Sequence, residues 1–160
     1  MSEEKTNVMR VLDQKKIPYT PHSYPHQPGA AVDGAAVAAL LGRDPAGVFK
    51  TLVTRGASGA HYVFVVPVLA ELHLKKAAKA VGEKSIQLIH VKELTPLTGY
   101  VRGGCSPIGM KKRFPTVLDA SAQGQETMLV SAGKIGSQVE LSPEALAELI
   151  GASFAPLTQE

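Results

Sequence analysis

At 160 residues, with 44% hydrophobic and 19% charged side chains, the chain has the size and composition of a protein that buries one core and needs neither disulfides nor metal to do so. A single cysteine excludes an internal disulfide. No run approaches the roughly 20 apolar residues of a membrane-spanning helix, and the polar start Met1-Ser2-Glu3-Glu4 lacks a leader's apolar centre, so one cytoplasmic domain over residues 1–160, with no membrane partner, is expected.

The formal net charge of +3 is modest but clustered. Lys75, Lys76 and Lys79 form one group, and Lys111, Lys112 and Arg113 form another that suits a phosphate backbone, which makes nucleic acid a candidate partner. His22, His26, His61, His73 and His90 are scattered and show no metal-ligand spacing, so no metal and no cofactor is expected.

In chain order, Val8, Val11 and Leu12 fall at i, i+3 and i+4 and predict a short amphipathic helix over residues 5–16. Pro18 and Pro21 then forbid helix and predict an extended edge strand over residues 17–24, with Tyr19 and Tyr24 as a partly exposed aromatic pair. The Ala- and Val-rich segment from Gly29 to Gly42 reads as a buried helix, with Asp33 as its candidate cap and Gly42 as its stop. Residues 48–54 read as a strand with Val48, Lys50, Leu52 and Thr54 on one face, so Lys50 either snorkels at an edge or points into a pocket to meet an anion.

Gly56 to Gly59 predicts a hairpin turn into the apolar strand 62–68, which Pro67 assigns to an edge or a bulge. A lysine-bearing helix over 72–81 ends at Gly82, residues 86–91 read as a short buried strand, and residues 92–98 lead into a glycine-rich loop. Two short strands, 116–119 and 128–131, a second glycine-rich turn from Ser131 to Gly136, a strand at 139–141 and a last helix opened by Ser142 and Pro143 complete the pattern. Hairpins mixed with helices give an α+β fold, with a mixed, mostly antiparallel, barrel-like sheet flanked by helices.

The loop from Gly99 to Gly109 holds four glycines and one proline in eleven residues, interleaved with Tyr100, Val101 and Ile108. Adjacent Gly103 and Gly104 allow backbone N–H groups to approach a ligand, and Pro107 stiffens the exit, a combination that suits a rigid cradle for an anion or for a carbonyl becoming one. The same pattern also serves a tight turn whose glycines meet geometry alone.

Phe49-Lys50-Thr51-Leu52, Gly99-Tyr100 with Gly103-Gly104-Cys105-Ser106-Pro107, Lys111 to Thr116 with Asp119, and Val130-Ser131-Ala132-Gly133-Lys134 occur in an order that resembles the YbaK/EbsC family, related to the editing domain of bacterial prolyl-tRNA synthetases. The resemblance runs from the first helix to the C-terminus. It implies a trans-editing aminoacyl-tRNA deacylase that clears Cys-tRNA(Pro), with the acceptor end of a mischarged tRNA as partner. The family's essential lysine falls on Lys50 and its Gly-x-x-x-Pro loop on Gly103 to Pro107, which makes Lys50 and Gly103 the catalytic pair. Pocket contacts fall on Tyr24, Thr51, Gly104, Ser106, Pro107 and Ser131, and on Gln138, where many members carry Asp; Lys111, Lys112 and Arg113 are the RNA-binding candidates.

Cysteine-specific members use no protein nucleophile: the thiol of the attached cysteine attacks its own ester carbonyl. A rival mechanism with Cys105 or Ser106 as nucleophile finds no base marked by a recognisable motif, and a free cysteine reads best as a small packing residue. Clearance of Ala-tRNA(Pro) or another small amino-acid ester, and a non-catalytic RNA- or nucleotide-binding module, stay open. So do docking on prolyl-tRNA synthetase and weak homodimerisation.

Overall fold

A hairpin supplies the frame. In the computed structural model, which describes residues 5–27 and 30–158, β2 (Phe49–Gly56) pairs antiparallel with β3 (His61–Pro67) over the register Phe49 opposite Pro67 to Arg55 opposite His61. The turn closes through a 2.8 Å bond from the Gly56 N–H to the Ala60 carbonyl, with Gly59 at φ +91°. Val63, Phe64, Val65 and Val66 have no exposed surface, so β3 is buried on both faces, as a central strand requires.

Around this hairpin a five-stranded sheet forms in the order β4 (Ile86–Leu88), β2, β3, β5 (Thr116–Asp119), β8 (Ser153–Ala155), in which β3–β5 and β5–β8 are parallel. A second, three-stranded antiparallel sheet has the order β1 (Thr20–Ser23), β7 (Ser137–Leu141), β6 (Met128–Ser131). A parallel bridge between Val48 and Leu129 joins the two. The architecture is the expected mixed, mostly antiparallel α+β arrangement, built as two abutting sheets and not as one closed barrel.

Helices cover both sides. Val8 and Leu12 of α1 (Asn7–Gln14) and Leu146 of α5 (Pro143–Ile150) pack with Phe49, Val65, Met128 and Val139 in the main core. Ala77 and Ala78 of α3 (Leu74–Val81) pack on Phe64, Val66, Ile86 and Leu157 across the sheet. The helix α2 (Gly34–Leu41) is capped by the Asp33 carboxylate, which accepts from the Ala35 N–H, and stopped by Gly42 at φ +67°. Its expected start at Gly29 lies outside the described residues, and with Leu40 half exposed it is a surface helix that buries only Val37 and Ala38.

Four further expectations need correction. Pro67 is neither at an edge nor in a bulge: it ends a central strand. Its lack of an N–H costs nothing there, because the Val68 N–H bonds the Val48 carbonyl, which makes Phe49–Pro67 a non-hydrogen-bonded pair, and the pairing with β5 has already stopped at Val65. Tyr19 and Tyr24 are not an exposed pair, since Tyr24 is buried against Val37, Val48 and Leu129 while Tyr19 packs on the α1 side. The strand expected at 86–91 is only Ile86–Leu88, an edge strand with Gln87 and Leu88 exposed. Residues 92–98, expected only to lead into the glycine-rich loop, belong to α4 (Val91–Thr98), held at its start by a bond from the His90 N–H to the Glu93 carboxylate. Pro96 is tolerated because the bond it forgoes belongs to the carbonyl of Lys92, which lies on the exposed side where water can satisfy it.

Candidate active site

Where the two sheets meet, β2, β6, β7, α2 and the glycine-rich loop enclose a cavity of about 690 Å³, within the range that holds a small ligand or a nucleoside. Its wall includes five consecutive residues of the chain, Val48 to Leu52, so β2 enters edge-on and both Lys50 and Thr51 reach it despite lying on opposite strand faces. The Val48–Leu129 bridge is parallel, and two steps further along both chains stand Lys50 and Ser131. Ser131 in turn lies opposite Gln138 across the β6–β7 pair, which sends both side chains to the same side.

The polar groups on this wall are poorly satisfied from within. Thr51 Oγ1 and Gln138 Oε1 are buried without a hydrogen-bond partner. Lys50 forms no ion pair among the described residues; burial pulls its pKa below the usual lysine value, and the attraction of Glu71 opposes that pull. Ser131 Oγ accepts from the Gly133 N–H at 3.1 Å, which leaves its own proton free to donate.

The glycine-rich loop is rigidly built. Thr95 Oγ1 donates to the Tyr100 carbonyl, Thr98 Oγ1 accepts from the Tyr100 N–H, and the Tyr100 hydroxyl donates to the Ile108 carbonyl. Burial pushes the Tyr100 hydroxyl up to about 12, so it stays a donor. Residues Val101 to Gly104 make a four-residue turn closed by a 2.9 Å bond from the Gly104 N–H to the Val101 carbonyl, with Gly103 at φ +86° in the third position, the type II pattern.

This construction sorts the residues of the loop. Gly103 lines the cavity, and its N–H makes no hydrogen bond among the described residues. Gly104 does not line it: its N–H is spent on the turn, and a Cβ there would stand 2.9 Å from the Lys134 Cα and the Ile135 N. Ser106 is fully buried with its Oγ accepting from the Ile108 N–H, and Pro107 opens on a second hollow of about 210 Å³ behind the loop. Lys112 and Arg113 line that second hollow with Phe114 and Leu149, while Lys111 is exposed and bonds the Thr98 carbonyl through its backbone N–H. Cys105 reaches the cavity, but burial pushes its thiol up to about 12, which removes the thiolate a nucleophile needs.

The aminoacyl-tRNA editing domain matches residues 26–149, a span that contains the whole cavity wall except Tyr24. The chain belongs to the aminoacyl-tRNA editing domain family. A curated relative from Enterococcus faecalis (strain ATCC 700802 / V583), named "Putative Cys-tRNA(Pro)/Cys-tRNA(Cys) deacylase EbsC", is 46% identical over 157 residues, which covers 98% of this chain and 95% of that protein. The fold is shared with a crystal structure described as "a putative trans-editing enzyme for prolyl tRNA synthetase", at a TM-score of 0.82 and 24% identity over 99% of this chain and 100% of that one.

Of the expected site residues of this editing domain, Tyr24, Lys50, Thr51, Gly103, Ser131 and Gln138 share one cavity wall. Two charged lining residues, Asp33 and Arg102, lie outside the expected site set. Asp33 was assigned only a capping role, and Arg102 lay unremarked inside the glycine-rich stretch. The adjacent Gly103 carries the signal: a glycine in the third position of a four-residue turn places Arg102 second.

Proposed function

We propose that this editing domain is an aminoacyl-tRNA deacylase that releases cysteine from Cys-tRNA(Pro), with Lys50 and Gly103 as the catalytic groups. The observation that carries the reading is the convergence of Lys50 and Gly103, whose N–H is uncommitted among the described residues, on one cavity wall that Thr51, Ser131 and Gln138 also line. The printed name of the 46% identical relative supports the same substrate class.

In this mechanism the substrate supplies the nucleophile. The cysteine thiol attacks its own ester carbonyl carbon, the bond to the ribose oxygen breaks, that oxygen takes up the thiol proton, and the cysteine leaves as a thiolactone that water later opens. Holding thiol and carbonyl in one oriented molecule can supply on the order of 7–11 kcal/mol of the barrier, so the protein needs only to orient them and stabilise the oxyanion. The Gly103 N–H and the Lys50 ammonium are the donors for that charge; Gly104, committed to its turn, is not. Thr51 and Gln138 accept from the substrate's α-ammonium, and the Ser131 hydroxyl donates to the ester.

The test is a panel of Cys-, Ala-, Ser- and Pro-charged tRNA(Pro). Preferential release of cysteine, lost when the substrate thiol is methylated, supports the reading. Equal release of alanine removes the thiol step and leaves a general small-ester deacylase. Release from none of the four makes the cavity a binding module.

A further inference from the structure

We infer that Arg102 binds the phosphate that joins the terminal adenosine to the rest of the tRNA, and so sets how deeply the aminoacyl end enters the cavity. The inference rests on the deacylase reading for the identity of its ligand, but its geometry is independent of the reaction.

A cavity of about 690 Å³ holds one aminoacylated nucleoside and no more of the chain. The polynucleotide must therefore leave through the mouth, and the first phosphate lies where cavity wall gives way to solvent. The cavity has three charged lining residues, Asp33, Lys50 and Arg102. Asp33 is spent on the N-terminus of α2, and Lys50 is partly buried on β2. Arg102 alone among them is both exposed and cationic, and it has no ion-pair partner among the described residues.

Its mounting also fits this task. Arg102 is the second residue of the Val101–Gly104 turn, immediately before Gly103. A guanidinium at that position is tied by one peptide unit to the amide that faces the ester, so a phosphate gripped by Arg102 fixes the spacing between backbone and reacting carbonyl. The planar fork of donors matches two phosphate oxygens at once, which a lysine does not reproduce.

Titration of the intact protein with adenosine and with adenosine 5′-phosphate tests this directly, using wild type, Arg102→Ala and Arg102→Lys. The wild type should bind the phosphorylated nucleoside about tenfold more tightly, the size of one charge-assisted contact. Arg102→Ala should bind both alike, and Arg102→Lys should keep part of the preference. The cysteinyl esters of the same two nucleosides should follow the same pattern in KM, with kcat much less affected. A preference that survives in Arg102→Ala, or a wild type that shows none, overturns the proposal. Failure of the wild type to cleave either ester overturns the deacylase reading instead, while the two binding titrations still decide the role of Arg102.

Discussion

Thr51 and Gln138, from different sheets, both line one cavity, and each carries a buried oxygen, Oγ1 and Oε1, without a hydrogen-bond partner. Leaving two such groups unpaired is costly unless a ligand or water completes them. Their removal should therefore separate stability from function. In Thr51→Val and Gln138→Leu the melting temperature should hold within about 2 °C or rise, because an unsatisfied oxygen is replaced by an apolar group of similar shape. Deacylation kcat/KM should fall by about tenfold in each. A clear loss of melting temperature with full activity would mean that these oxygens serve the fold.

Lys50 is held below the usual lysine pKa of 10.5 by its burial, against the pull of Glu71. If the ammonium form stabilises the oxyanion, activity is lost as pH rises through this lowered value. After subtraction of spontaneous ester hydrolysis, the alkaline limb should therefore break below pH 10.5. Lys50→Ala should lower kcat by about 10²–10³, the effect of losing one oxyanion donor. A change confined to KM would reduce Lys50 to a binding cation.

Cys105 gives the complementary prediction. Its thiol, pushed up to about 12 by burial against a weaker opposing hydrogen bond with Thr98, is protonated at neutral pH. Cys105→Ala should keep deacylation within about threefold of wild type, since an inert buried cysteine acts as a small apolar side chain. A loss of about 10²-fold or more without unfolding would return Cys105 to the list of nucleophiles.

Local signals in the sequence located most elements of this editing domain. Asp33 and Gly42 bound α2, Ser142 and Pro143 open α5, and the Gly56–Gly59 turn joins β2 to β3, each through chemistry that acts within a few residues. What stayed hidden depended on distant partners or on context. The pairing that brings His22 to Glu140 spans 118 residues. The helix α4 was masked by Pro96, whose penalty vanishes once its orphaned carbonyl faces water, and β8 is only three residues long, too short to show a period. In the site, Lys50 and Gly103 were legible as chemistry, but which glycine N–H groups are already spent cannot be read from a run of glycines. Gly104 and Ser106 look like ligand contacts on paper and are structural in the fold.

That division of labour can be tested at Gly103 and Gly104. Gly103 sits at φ +86°, and a Cβ there would stand 2.7 Å from the Ala31 Cβ. The left-handed conformation alone costs about 1–2 kcal/mol for an alanine, so Gly103→Ala should lower the melting temperature by about 2–8 °C. It should also reduce kcat if the Gly103 amide is the proposed oxyanion donor, because the displaced turn moves it. Gly104→Ala meets backbone atoms of Lys134 and Ile135 that cannot give way cheaply, so it should destabilise at least as much. Equal thermal loss with kcat intact in the folded fraction of Gly103→Ala would deny its amide a part in the reaction.

Glu140 should report on what holds the cavity wall in place. Its side chain is 11% exposed and accepts from His22 Nε2 at 2.8 Å, from both Arg43 Nη atoms and from Thr127 Oγ1. Arg43 directly follows the cap of α2, so this carboxylate ties the cavity-lining helix to β7, two residues from Gln138 on the same strand face. Burial alone would raise its pKa, but the bonds from Thr127, His22 and Arg43 outweigh it and hold the group below its ordinary 4.5. A folded-state pKa below the unfolded one means that the stabilisation is full above about pH 5 and is lost as pH falls through the lowered value. Glu140→Gln should therefore cost about 1–3 kcal/mol near neutral pH, and the gap in melting temperature between wild type and variant should narrow as the solution is acidified. A gap that stays constant from neutral pH to about pH 3 would show that the charge of Glu140 does not couple α2 to the sheet.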